Sequence, residues 1–357
     1  MPRLLAMTMV KIDEEPHHQG GAAVLRAVAV VLLLVATAAG GGFLWLRHSL
    51  TPVAKDPVAA RRLAFEVESG DSLGRVAATL EAEGMIRSAK VTRWFAESEN
   101  IASQLKIGEY ALSASQSTPE ILDVLVRGRV QTHPVVIPEG LRAAEIADRM
   151  AAAGLADRDT FLAIALDPGS PERFGVEGPS LEGYLFPDTY RFARGVPEER
   201  IIEAMVGEFL QVYRELVPDP SAVELSMREH VTLASIVEKE TGVAIERALI
   251  AAVFLNRMKR GMRLQTDPTV IYGIANFDGN IKRIHLEDAS NPYNTYKIRG
   301  LPPGPIANAG RDALRAVLEP AESPYLFFVS RNDGTHIFAK SYAEHEANVD
   351  RYQRRRR

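Results

Sequence analysis

Residues 27–46, "AVAVVLLLVATAAGGGFLWL", run for twenty positions without a charged side chain. A helix of about 20 apolar residues crosses the roughly 30 Å hydrocarbon layer of a bilayer, so this stretch predicts one transmembrane helix. Trp45 and Arg47 mark its far end with the residue types of a membrane–water boundary. "ATAA" (36–39) resembles a small-residue cleavage site, but the segment before the span is long for a signal n-region, and the span is read as an uncleaved anchor. Arg3, Lys11 and Arg26 precede it, while Arg47, Lys55, Arg61 and Arg62 follow. Counting basic residues therefore does not fix the orientation. The expectation is a cytoplasmic segment over 1–26 with the bulk of the chain outside, because a short polar head more typically stays than crosses.

The remaining chain is long enough for two or three folded units: of 357 residues, 46% are hydrophobic and 25% charged. A net charge of −4, with no basic stripe interleaved with aromatics, argues against a nucleic-acid surface. The absence of cysteine excludes disulfides, thiolate catalysis and sulfur-ligated metals. Residues 47–62 contain two prolines and no sustained period, and are read as a linker leaving the membrane. Beyond it, "FEVESGDSLGRVAATLEAEGMI" (65–86) lies over "VVIPEGLRAAEIADRMAAAGLA" (135–156) at a constant offset of about seventy residues, too long for a solenoid repeat. In each copy Val67 or Ile137 closes a strand and Gly70 or Gly140 turns it. Val76 and Leu80, or Ile146 and Met150, form a helix stripe that Gly84 or Gly154 ends. The fold class expected is α+β: a transmembrane helix, a strand/helix subdomain over 63–130, a mixed domain over 131–350 and a basic tail over 351–357. The 63–130 unit resembles the glycan-binding LysM module, with Phe65 and Trp94 as its aromatic candidates. "SLEGYLFPDTYRF" (180–192) is read as a loop and strand lying over a groove.

Chemistry concentrates after residue 229. Leu233, Ile236, Val237 and Glu240 follow at i, i+3, i+4 and i+7, so they share one helix face, whereas Glu238 falls with Ala234, Ser235 and Thr241 on a side expected to meet water. Gly242 separates this helix from a second one. A glutamate carried on an apolar face loses hydration, which raises its pKa and lets it hold a proton near neutrality. Such an acid is what glycosidic cleavage requires, since the departing oxygen must receive a proton. Two glutamates around a lysine are also a common solvated face. In "RLQTDPTVIYG" (263–273) Asp267 reads as an N-cap with Pro268 opening the helix, leaving Gln265 and Thr266 as polar groups before it. "NPYNTYKIRGLPPGPIANAG" (291–310) is long, irregular, polar and aromatic, which is costly unless it lines a site. The last strands, around "PYLFFVS" and "HIFAKSY", are read as a core hairpin with His336 its only candidate reactive group.

"SIVEKET", "VFLNRM", "GMRLQTDPTVIYG", "YNTY", "GLPPGPIANAG" and "PYLFFV" occur in that order, with "LEGYLFPDTY" upstream. Together they resemble the YceG-like endolytic murein transglycosylases, the MltG family, over nearly everything after residue 60. The resemblance implies an inner-membrane anchor, a LysM-like unit and a periplasmic catalytic domain that cuts nascent peptidoglycan into 1,6-anhydro-MurNAc ends, without metal or cofactor. It puts the essential acid at Glu240, with Glu238 the alternative, and makes Gln265, Thr266, Asn294, Thr295 and Tyr296 candidate sugar-binding residues. Glycan strands, the inner membrane and peptidoglycan synthases are the partners it suggests. Two other functions compete: a non-catalytic peptidoglycan-binding scaffold, and a hydrolytic muramidase that recruits Glu182, Asp188 or Asp267 as a second carboxylate.

Overall fold

The computed structural model describes residues 19–354; the segment before residue 19 and the last three arginines lie outside the described residues. The chain divides into two compact units, at Val130 and Gln131.

The first unit opens on α1, Gln19–Ser49, a helix longer than the uncharged run because Arg26 and Arg47 are accommodated within it. From Val24 to Ser49 it is apolar enough to cross a membrane, and the protein covers almost none of it. Four elements follow in the order strand, helix, helix, strand: β1 (Arg62–Val67), α2 (Leu73–Ala82), α3 (Ala89–Ser98) and β2 (Gly108–Ser113); α4 (Thr118–Arg127) completes the unit. β1 and β2 pair antiparallel, Arg62 opposite Ser113 and Val67 opposite Gly108. Ser72, Ser88 and Ser117 cap the three helices, each accepting a backbone N–H three residues on. Val76, Leu80, Met85, Tyr110, Leu112, Ile121 and Leu125 form the core. The expected linker is not free. Leu50 O accepts from Thr118 N at 3.0 Å, Ala54 N donates to Ala114 O at 2.9 Å, and Arg87 binds the carbonyls of Pro52 and Val53. This segment of bends and a turn still finds backbone partners on the unit. Of the two aromatic candidates, Phe65 is buried in this core and Trp94 is half exposed.

The second unit begins with the same local order. β3 (His133–Val136) is followed by α5 (Ala143–Ala152), α6 (Arg158–Ala165), the single turn α7 (Ser170–Arg173) and β4 (Thr189–Phe192), which pairs antiparallel with β3. Gly70 and Gly140, the matched turn glycines, have φ of +88° and +77°. The rest is helical until a closing hairpin: α8 (Glu198–Leu216), α9 (Met227–Glu240), α10 (Arg247–Lys259), α11 (Asp267–Tyr272), α12 (Arg283–Glu287) and α13 (Arg311–Leu318), then β5 (Phe327–Ser330), β6 (His336–Ala339) and α14 (Tyr342–Val349). A further helical turn over Asp350–Arg354 places Arg354 on Glu346 and Asp350, so the start of the basic tail is ion-paired.

α9 is the axis of this unit. Every residue from His230 to Val237 is buried, so over these two turns the helix has no wet side and the expected division into an apolar and a hydrated face does not hold. Even its polar side chains are used internally: His230 bridges Tyr213 and the Leu314 carbonyl, and Ser235 Oγ accepts Ile306 N at 3.0 Å. The 180–186 stretch is likewise interior and does not lie over a groove. Its Glu182, 3% exposed, accepts Ala143 N at 3.0 Å and the Asn308 amide at 2.9 Å. Asn308 in turn accepts Leu185 N at 2.8 Å and donates to Leu141 O. Loops from residues 140–143, 182–185 and 305–310 are thereby tied into one buried knot.

Gly183 shows how tightly that knot is drawn. Its φ is +89°, and an added Cβ would lie 2.4 Å from Pro305 Cβ, whereas Gly195, at +74°, has open space around it. Gly195→Ala is expected to cost about 1–2 kcal/mol for the left-handed backbone alone. Gly183→Ala adds an overpacking cost of about 1–3 kcal/mol. Urea unfolding of the two variants, with a clearly lower midpoint for Gly183→Ala, checks this.

Candidate active site

α9 ends at Glu240 because Thr241 turns extended (φ −145°, ψ 134°) and Gly242 follows. The last side chain of a buried helix is thus delivered to the edge of the core, where a cleft of about 440 Å³ begins. Glu240 lines that cleft with Gln265, Thr266, Asp267, Tyr296 and Arg257, and with Phe327, Phe328, His336, Tyr342 and His345 from the region of the closing hairpin. Enclosure by protein is the main influence on Glu240, and the neighbouring Asp267 charge adds to it; together they raise its pKa to about 7, against smaller opposing effects of Thr266, His336 and Arg257. The carboxyl therefore holds a proton over much of the neutral range while remaining open to the cleft.

Thr266 explains a shift in the next helix. It, not Asp267, occupies the N-cap of α11, yet it makes no side-chain cap because its hydroxyl donates to Glu240 Oε1. Asp267 is the first helical residue and accepts the Tyr296 hydroxyl at 2.7 Å. Gln265, with φ of +49°, is exposed at the mouth, its backbone held by the Thr295 carbonyl.

Two of the expected sugar-binding residues are placed elsewhere. Asn294 and Thr295 are fully buried and line no part of this cleft. The Asn294 amide donates to the carbonyls of His285, Leu286 and Asp288, and its oxygen accepts Tyr296 N. Thr295 Oγ1 accepts Thr266 N and meets Thr269 Oγ1 at 2.8 Å. An irregular loop exposes many backbone groups that need partners, and these side chains supply them. They shape the wall that Thr266 and Tyr296 present.

Glu238 is not on a watery side either. Its side chain is 8% exposed, lies 3.7 Å from Arg247 Nη2, and accepts Gly310 N at 3.2 Å. Burial and the nearby Glu139 raise its pKa, but it joins α9 to the 310 loop and is not among the cleft residues. Of the three other carboxylates considered, Glu182 belongs to the buried knot, its pKa raised by burial to about 7, and Asp188 is exposed. Asp267 alone of the three lines the cleft.

The sequence reading missed the closing hairpin's contribution. Expected as core, the hairpin also lines the cleft, with the Phe327 ring 4.9 Å below the Arg257 guanidinium and stacked on His345. Arg257 was also overlooked. It is buried, its guanidinium bonded to the carbonyls of Leu326 and Leu264 at 2.6 and 2.8 Å. Its signal was present, since Ile250, Phe254 and Arg257 stand at i, i+4 and i+7, a charge on an apolar helix face like Glu240 itself. Among the described residues no group of three potential metal ligands occurs.

A raised carboxyl pKa costs the fold once the proton leaves: stability falls as pH rises from the unfolded value near 4.5 to the folded value of about 7. Glu240→Gln removes that penalty. At about pH 8 the variant is expected to be more stable by roughly 1–3 kcal/mol, with the difference closing at about pH 4. Denaturant titrations at both pH values test it.

The YceG-like family matches residues 65–351. A Bacillus subtilis endolytic murein transglycosylase is 31% identical over 328 residues, covering 87% of this chain and 89% of its own. The Streptococcus pneumoniae endolytic murein transglycosylase of serotype 2 is 31% identical over 86% of this chain, which spans only 61% of that longer protein. A crystal structure of a yceG-like protein from Listeria monocytogenes superposes with a TM-score of 0.54 at 33% identity, covering 81% of this chain and 100% of that one. With the family match running from the first strand to the last helical turn, this chain belongs to the YceG-like family.

Proposed function

We propose that the protein is a membrane-anchored endolytic lytic transglycosylase that cleaves the MurNAc–GlcNAc bond of nascent peptidoglycan and leaves 1,6-anhydro-MurNAc ends. The observation that carries this reading is Glu240, a carboxyl that keeps its proton to about pH 7 at the wall of a cleft large enough for sugar rings, in a chain of the YceG-like family. Its proton goes to the glycosidic oxygen as the C1–O bond breaks. The 6-hydroxyl of the same muramic acid closes on C1 and gives up its own proton, so no water is consumed. In the simplest form of the cycle the Glu240 carboxylate collects that second proton. Thr266 orients the carboxyl, and Gln265, Tyr296 and the aromatic wall of Phe327 and Tyr342 receive the sugars.

α1 anchors the protein, with the N-terminus cytoplasmic and the cleft on the periplasmic side of the inner membrane. Residues 63–130 act as a LysM-like glycan holder, a reading supported by their strand, helix, helix, strand order and by Trp94, whose ring is free to stack. Peptidoglycan synthases, which make the strand to be cut, are natural partners of such an enzyme. A hydrolytic variant of the reaction is favoured by one observation, the placement of Asp267 in the same cleft, and product chemistry separates the two.

Uncrosslinked glycan strands digested with the parent protein are expected to yield anhydro ends by mass spectrometry; reducing ends would indicate hydrolysis, and no fragments a binding scaffold. Glu240→Gln is expected to lose at least about 100-fold in rate. Glu238→Gln is expected to cut, and the reverse result moves the acid to Glu238. Since the acid must be protonated, kcat/KM is expected to fall about tenfold per pH unit above about 7, where Glu240 ionises.

A further inference from the structure

Glu246 stands in the single turn between α9 and α10 and is buried. Both of its carboxylate oxygens serve one residue: Oε1 accepts the His336 backbone N–H at 2.9 Å, and Oε2 lies 2.8 Å from His336 Nδ1. A carboxylate can only accept, so the proton of a neutral His336 sits on Nδ1 and Nε2 is left as a bare acceptor. Phe328 fixes the ring further, meeting it edge to face at 5.4 Å. The His336 side chain, 12% exposed, lines the cleft that holds Glu240, and Nε2 has no hydrogen-bond partner among the described residues.

Most other polar groups facing this space are engaged: Arg257 is bound to backbone carbonyls, Asp267 accepts from Tyr296, and Thr266 donates to Glu240. His345 stacks on Phe327, and its Nδ1 is buried without a hydrogen-bond partner among the described residues, so it lacks the carboxylate that fixes the tautomer of His336. A buried carboxylate that fixes one histidine tautomer, with the second nitrogen turned to a substrate cleft, is an arrangement suited to a base.

We infer that His336 is a second catalytic residue of this cleft, its Nε2 taking the proton of the muramic acid 6-hydroxyl while Glu240 protonates the departing oxygen. The inference rests on the transglycosylase reading above and changes only the route of that one proton. The balance is complete. The 6-hydroxyl O–H and the C1–O bond to the next sugar break, and the 6-oxygen–C1 bond and a new hydroxyl form. Glu240 ends as carboxylate and His336 as imidazolium, and a proton passed from His336 to Glu240 through cleft water restores both. Glu246 is the positioning residue, holding the imidazole in the useful tautomer.

The test uses the full-length chain on uncrosslinked glycan strands, with rates and end groups followed by mass spectrometry. His336→Gln is expected to lower kcat about 100-fold with KM little changed. Reducing ends should rise among its products, because water competes when the 6-hydroxyl is not activated. Millimolar imidazole is expected to restore part of the rate of His336→Ala, a rescue that requires an intact cleft and so separates lost chemistry from lost folding. Glu246→Gln is expected to lose at least about tenfold while KM holds. Cutting by His336→Gln at the parent rate with anhydro ends alone overturns the inference and leaves both proton transfers with Glu240. A rate loss with neither rescue nor altered end groups overturns it as well. Loss confined to Asp267→Asn moves the base to Asp267. A parent protein that makes no anhydro ends overturns the reaction itself, and the role of His336 with it.

Discussion

The enclosure of α9 is the constraint on which the rest of this protein depends. A helix buried around its whole circumference cannot rotate or slide without opening voids in a close-packed interior, so the position of its last residue is fixed by everything around it. Glu240 is that residue, and it emerges where the core gives way to the cleft. Its raised pKa follows from this placement, since a carboxylate there exchanges bulk hydration for a single hydroxyl donor and a neighbouring negative charge. Had α9 been an amphipathic surface helix, the same side chain would sit in water and ionise as an ordinary glutamate.

Glu182 shows that a raised pKa does not by itself make a catalyst. Burial lifts it to about the same value as Glu240, yet its oxygens are taken up by Ala143 N, the Asn308 amide and the Tyr272 hydroxyl. Those bonds join three loops, and no substrate atom can reach them. The difference between the two acids is access. One is a tie within the core, the other the floor of an open cleft, and only the second can hand its proton to anything.

Several parts of this architecture were legible in the chain itself. The uncharged run, the strand–turn–helix repeat, the break at Gly242 and the closing hairpin all arise from local rules of polarity, turn chemistry and period, and each has its counterpart in the structure. Thr266, Gln265 and Tyr296, expected near a site because they are polar residues beside turn signals, do line the cleft. Asn294 and Thr295 carried the same signal for another reason. A long irregular loop needs internal partners for its own backbone, and a polar side chain written next to a tyrosine does not reveal whether it serves a sugar or a carbonyl.

The glutamate pair marks the boundary between the two kinds of information. The sequence by itself determined that Glu240 would follow an apolar stripe close to a helix end, because helical period and the break at Gly242 act over a few positions. The reason offered for preferring it, a wet side for Glu238, did not survive: both flanks are buried, and Glu238 is held by Arg247 and Gly310 N. Which carboxylate meets the cleft, that the closing hairpin lines it, and that Glu246 holds His336 there were decided by tertiary structure alone. These contacts join residues as many as ninety positions apart. Such pairings are set by how α9, α10 and the hairpin pack against one another, and local chemistry cannot encode them.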